Sequence, residues 1–164
     1  MVQTGYSPGL WAVKPAKTLT DKGEVFLQAA KDNNLHPVYL VVHALVESAH
    51  GKSDLAKQNN FFGIGANDGK AYAAGTKFSK EHGWNSPDEG IMGGAQVISK
   101  KWVNHPSQSQ CSLYGMRWNY MNAGVNQYAT DVNWAHGLSK MIANIVNSKS
   151  SNYQPTLIIP QYRS

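Results

Sequence analysis

Apolar residues recur with a helical period along much of the chain. Val38, Val41, Val42, Leu45 and Ala49 stand at i, i+3, i+4, i+7 and i+11, one face of an α-helix. Leu40, Ala44 and Val46 fill much of the other side, and a helix apolar nearly all round belongs in a core. Pro37 suits its first turn and Gly51 its end. Ile91, Ala95, Ile98 and Trp102 follow at i, i+4, i+7 and i+11. They lie behind Ser86, Pro87 and Glu89, which read as an N-cap, a first-turn proline and a capping-box acid. His105-Pro106 closes that helix. Trp134, Leu138, Met141, Ile142 and Ile145 predict a last helix running to about Asn147. A shorter stripe, Phe26, Ala29 and Ala30, follows Asp21 and Glu24, which are spaced as a capping box, and ends near Asn33 and Asn34. Ser53 is placed to cap a short helix through Lys57.

Elsewhere the period fails. Residues 59–65 read as a loop, and the Gly- and Tyr-rich stretch from Gly65 to Trp84 as a hairpin or loop. Residues 104–130 are irregular and carry Tyr114, Trp118, Tyr120 and Tyr128. The expected architecture is mainly α (α+β): a helical lobe beside a smaller lobe of loop or hairpin. Residues 19–147 form the domain, 1–18 an extended lead-in, and 148–164 a tail or strap.

Composition narrows the class. With 164 residues, 41% hydrophobic and 15% charged, the chain can bury one core and is neither disordered nor a coiled coil. Fifteen Lys and Arg against ten Asp and Glu give +5, a balance suited to polyanionic partners such as anionic wall polymers. The cations are scattered, as at Lys14, Lys17, Lys22 and Lys31, so no nucleic-acid stripe forms. Cys111 is the single cysteine, which excludes an internal disulfide and a cysteine zinc cluster; it reads as a half-buried small residue. Met1 to Thr18 lacks the basic start and apolar stretch of a secretory signal, and no apolar run reaches the ~18 residues of a membrane span. Either an excised module of an exported protein or a chain exported by other means, such as a phage particle, is expected.

Glu47 is the oddest residue: a carboxylate in the last turn of a buried helix. Apolar surroundings disfavour its charged form and raise its pKa, which suits a general acid that protonates a leaving sugar oxygen. The alternative is a structural pair with His43 or His50, one turn either side. His43, Glu47 and His50 share a face, but the metalloprotease pattern of two histidines four apart is absent. A second Glu-x-x-His copy is absent too, so no metal and no cofactor is expected. Tyr72, Trp84, Tyr114, Trp118 and Tyr128 offer flat faces for sugar rings, and Asn59, Asn60 and Asn119 could bind hydroxyl and acetamido groups. Trp102 and Trp134 fit helical stripes and are assigned to the core.

The stretch His43-Ala-Leu-Val-Glu-Ser-Ala-His-Gly-Lys-Ser-Asp-Leu-Ala-Lys-Gln-Asn-Asn-Phe-Phe-Gly-Ile-Gly65 resembles the signature of glycoside hydrolase family 73. These are N-acetylglucosaminidases of bacterial cell-wall turnover. Trp84–Ala95, Leu113–Asn119 and Gln127–Asp131 are similar to the glucosaminidase module of the staphylococcal major autolysin group. Together the matches span about residues 20 to 147, in order. The resemblance implies a lysozyme-like fold with two lobes around a groove, and hydrolysis of the N-acetylglucosaminyl-β-1,4-N-acetylmuramic acid bond in peptidoglycan. It implies Glu47 as the catalytic acid, Phe61, Phe62 and Gly63 as the cleft floor, and Tyr128 facing the cleaved sugar. Asp131 is read as a cap of the last helix. Many members carry a second acid some thirty-odd residues after the first. Glu81, in Phe78-Ser-Lys-Glu-His-Gly-Trp84, suits that position; otherwise the substrate's own N-acetyl group would act as nucleophile. An extracellular, wall-associated monomer is expected.

Overall fold

The computed structural model describes residues 16–66, 70–108 and 110–147; the lead-in before residue 16 and the tail after Asn147 lie outside them. Among the described residues the regular elements are helical: α1 (Gly23–Asp32), α2 (Pro37–Glu47), α3 (Ala71–Glu81), α4 (Pro87–Ile98), α5 (Leu113–Trp118) and α6 (Trp134–Asn147). A 3₁₀ turn spans Ala56–Gln58 and a π turn Ser99–Val103. None of these helices is long and apolar enough to cross a membrane.

The apolar stripes set the packing. Leu40, Val41, Val42, Ala44 and Leu45 of α2 are buried, with Phe26, Ala29 and Ala30 of α1, Ile91, Ala95 and Ile98 of α4, and Leu138 and Ile145 of α6. Helix α1 packs on α2 and α4, and α6 on α2 and α5. The cap of α4 forms at the predicted residues, with the return bond one residue early: Glu89 N donates to Ser86 Oγ at 3.3 Å, and Asn85 N, not Ser86 N, donates to Glu89 Oε2 at 2.9 Å. Asp21 does not cap α1. Its φ is +62°, and Lys22 takes the N-cap position without a side-chain bond.

Two stretches read as irregular are helical. Residues 71–81 form α3 rather than a hairpin, with Gly75 and Ser79 buried on its inner face. A Cβ on Gly75 would stand 2.7 Å from Leu55 Cδ2, so small residues let this helix lie directly on the 55–60 loop. The apolar stripe is missing because the contact is backbone-close, not side-chain-deep. Residues 113–118 form α5, capped by Ser112 Oγ accepting from Gly115 N at 3.0 Å.

Glycines also seat the 59–62 loop on α4. A Cβ on Gly90 would meet Asn59 O at 2.0 Å, and one on Gly94 would meet Phe62 Cδ2 at 2.2 Å.

Candidate active site

Helix α2 ends on Glu47. Ser48 Oγ donates to Ala44 O at 2.5 Å and accepts from Gly51 N at 2.7 Å. Ala49, His50 and Gly51 then take φ of +49°, +60° and +81°, a left-handed run that costs a non-glycine residue roughly 1–2 kcal/mol. The run turns the chain off the helix axis at once, so Ala49 leaves the stripe on which its spacing placed it. Glu47 is left as the one carboxylate of a helix whose residues 40–45 are buried.

That carboxylate opens on a cleft of about 710 Å³. Its walls come from separate stretches: Val46 and Glu47, Phe62 to Ala66, Lys101 and Trp102, and Gln127 to Asp131 with Trp134. Trp134 Nε1 donates to Glu47 Oε1 at 2.6 Å. Gly63, at φ +63°, lies beside the other oxygen, and a Cβ there would stand 3.4 Å from Oε2. Burial pushes the Glu47 carboxyl above the usual carboxylate range, and the indole hydrogen bond works against that rise.

Aromatic rings form the surroundings. Tyr128 O–H donates to Phe62 O at 2.5 Å, and its ring packs on those of Trp102 (4.9 Å), Trp134 (5.0 Å) and His43 (4.5 Å). Burial, then the charge of Glu47, holds the Tyr128 hydroxyl well above its ordinary pKa. His43 is fully buried. Its Nδ1 bonds the Tyr39 hydroxyl at 2.9 Å, while Nε2 has no hydrogen-bond partner among the described residues. Burial lowers its pKa to about 3, so it is neutral. Among the described residues no His, Cys, Asp and Glu group is placed to hold a metal ion.

A half-buried, protonatable glutamate at a helix end over an aromatic-walled cleft is the layout of a glycosidase acid. The sequence profile of the glucosaminidase family, described as mannosyl-glycoprotein endo-β-N-acetylglucosaminidase, matches residues 23–147. The chain belongs to the glucosaminidase family. One relative of this chain is the bifunctional autolysin of Staphylococcus epidermidis, 41% identical over 140 residues that cover 76% of the chain and 10% of the relative. The chain spans about a tenth of the length of the curated relatives it matches. Among solved structures, S. aureus autolysin E in complex with the muropeptide NAM-L-Ala-D-iGlu superposes with a TM-score of 0.72 at 37% identity, covering 88% of this chain and 68% of that one. A catalytic glutamate-to-alanine mutant of autolysin E, in complex with the disaccharide NAG-NAM, gives 0.72 at 38% identity, covering 83% and 63%. The helical, lysozyme-like fold is common to them.

The structure sorts the residues that the sequence singled out. Glu47, Phe62, Gly63 and Tyr128 meet at the cleft, whereas Phe61 is fully buried and does not line it. Glu81 does not reach it. It is the exposed last residue of α3, 3.7 Å from Lys77, about 15 Å along the helix from the cleft residue Ala71 at ~1.5 Å per residue. Neither histidine pairs with Glu47, whose hydrogen bond goes to Trp134.

Asn60 and Asn119 are 1% and 0% exposed and bind their own scaffold instead of the groove. Asn60 Nδ2 donates to Ile64 O and Gly75 O, and Asn119 Nδ2 to Val125 O and Gln108 Oε1. Asn59 donates to Trp84 O. Trp84 is buried against Phe78 and His82. Tyr114 and Trp118 pack with Tyr120 and Arg117 around α5, and Tyr72 is exposed at the start of α3; none of these lines the cleft.

Sequence reasoning placed Trp102 and Trp134 in the core, and both are buried, yet both also line the cleft. Their helical spacing signalled burial and carried nothing about a second role. Asp131 leads into α6, accepting from Asn133 N through Oδ1 at 2.9 Å, and also lines the cleft. Arg117, buried in the Leu113–Asn119 stretch, holds that wall by donating to Asp131 O at 2.6 Å and Thr130 O at 2.5 Å.

Proposed function

We propose that this chain hydrolyses the N-acetylglucosaminyl-β-1,4-N-acetylmuramic acid bond of peptidoglycan glycan strands, with Glu47 as the proton donor. The observation that carries the reading is a glutamate whose carboxyl is raised by burial and opens on a cleft of about 710 Å³. Staphylococcal autolysin E, similar along most of this chain, is described with a NAG-NAM disaccharide and with a muropeptide, which supports the substrate class. The catalytic unit runs from about residue 19 to 147, and the enzyme works as a monomer on the extracellular wall, whether as an autolysin or carried by a phage particle. Anionic wall polymers are a second partner.

The second catalytic group is the substrate's own acetamido oxygen. It attacks the anomeric carbon as the glycosidic bond breaks and the leaving oxygen takes the Glu47 proton. Water then opens the cyclic intermediate while Glu47 takes a proton back, and configuration is retained. Tyr128 serves this step as an acceptor: its proton is engaged with Phe62 O, leaving oxygen lone pairs to receive the acetamido N–H.

Mass spectrometry and NMR of digested peptidoglycan test the reading. Reducing-end N-acetylglucosamine, first released as the β-anomer, is expected. Anhydro-muramic or reducing-end muramic acid would reassign the chain as a lytic transglycosylase or muramidase. Release of the α-anomer would replace substrate assistance by inversion with Asp131, the other carboxylate of the cleft wall among the described residues, as base. Glu47→Gln should abolish lysis yet leave wall binding largely intact; undiminished lysis would remove Glu47 from the chemistry.

A further inference from the structure

Glu47 offers two oxygens to the cleft side of α2, and the structure treats them differently. Oε1 receives the Trp134 indole N–H at 2.6 Å. Oε2 has no hydrogen-bond partner among the described residues and lies over Gly63, where even a Cβ would come within 3.4 Å. In a protonated carboxyl the carbonyl oxygen is the better acceptor and the hydroxyl oxygen is the donor. An N–H fixed on Oε1 therefore makes Oε1 the carbonyl and leaves the hydroxyl at Oε2.

We propose that Trp134 is a positioning residue that puts the catalytic proton of Glu47 on Oε2, aimed into the cleft across the bare backbone of Gly63. The inference rests on the proposed role of Glu47 as acid. It explains why the indole is locked. The ring of Trp134 meets His43 edge-on at 5.4 Å and Tyr128 at 5.0 Å, and His43 itself is wedged by Phe62, Tyr128 and Tyr39. These ring contacts favour the indole position that bonds Oε1. Gly63 completes the device from the other side: its φ of +63° disfavours a side chain, and a Cβ there would sit in van der Waals contact with Oε2. The same N–H also favours the ionised carboxylate that remains after proton transfer, a charge-assisted bond stronger than a neutral one.

The first test needs no variant of Trp134. In ¹H–¹⁵N NMR spectra of the wild-type chain, the Trp134 indole resonance should move with pH along the same curve as the Glu47 carboxyl. In Glu47→Gln that titration should vanish. An indole signal indifferent to pH in the wild type would overturn the assignment, whatever the enzyme does to peptidoglycan. The second test is Trp134→Phe, which keeps an aromatic ring and deletes the donor. The Glu47 carboxyl should then titrate at higher pH, because a bond that favours the charged form is gone. The rate requires protonated Glu47, so the basic limb of the pH–rate profile should move up with it. At the optimum kcat should fall by about 10- to 100-fold, part of what a general acid contributes, with KM changed less than about twofold. A variant with unchanged carboxyl titration and kcat would overturn the inference. Complete absence of hydrolysis in the wild type alongside a titrating indole would instead refute the proposed function and leave the pairing standing.

Discussion

His43 shows what a neutral histidine costs when acid is added. It is fully buried among Tyr39, Phe62, Tyr128 and Trp134, with a pKa near 3, whereas in the unfolded chain it titrates near 6.5. Its folded pKa is depressed, so its contribution is complete above about pH 6.5 and is lost as pH falls toward 3. The loss is about 1.4 kcal/mol per pH unit. Glu47 has the opposite sign: burial raises its pKa, so its ionisation weakens the fold as pH climbs. Urea unfolding at pH 7 and pH 4.5 should therefore show a drop of about 2–3 kcal/mol in the wild type that His43→Gln largely removes. Parallel losses in the two proteins would show that His43 is not the group responsible. At this scale the sequence is candid about Glu47, because a charge inside an apolar stripe is visible as a mismatch. It is silent about Trp134, which fits its stripe and donates to a residue 87 positions away. A side chain that satisfies core packing gives no sign that its edge atom does something else.

Among elements, α4 carries the cleft floor. Its glycines bring Asn59 and Phe62 against helix backbone, and Phe62 in turn holds the Tyr128 hydroxyl through its carbonyl. Gly94→Ala would place a Cβ 2.2 Å from Phe62 Cδ2. The variant should lose about 1–3 kcal/mol by overpacking and a large part of its hydrolytic rate, both measurable on one preparation. Gly137 of α6, with nothing within 4 Å of its added Cβ, is the control. Gly137→Ala should gain about 0.5–1 kcal/mol from helix propensity alone and leave the rate unchanged. Stabilities that move together would show that space at α4 is not the determinant. Helices α2, α4 and α6 were legible because each buries large side chains at a regular spacing. Helices α3 and α5 were not. The first packs through Gly75 and Ser79, the second is six residues long, and neither displays a periodic stripe. The π turn at Ser99–Val103 was invisible as well: it breaks the period just where Trp102 must face both core and cleft.

For the molecule as a whole, the charge of +5 is spread over the surface, with Lys101 at the cleft. Sedimentation of the chain with purified walls should fall steeply as NaCl is raised from 50 to 500 mM, since exposed charges are screened over a few ångströms at the higher salt. Binding that ignores salt would shift the affinity to the uncharged contacts of the groove. The groove was expected from the resemblance carried by the ordered motifs, but its walls were not legible, because long-range contacts set them. Glu47 and Trp134 are a pair of this kind, joined only when α6 docks on α2. A ribosome making this chain therefore carries the acid long before it has made the residue that arms it. Up to residue 133 the nascent product holds Glu47 without the Trp134 indole, and the proposed acid stays without its partner until synthesis reaches α6.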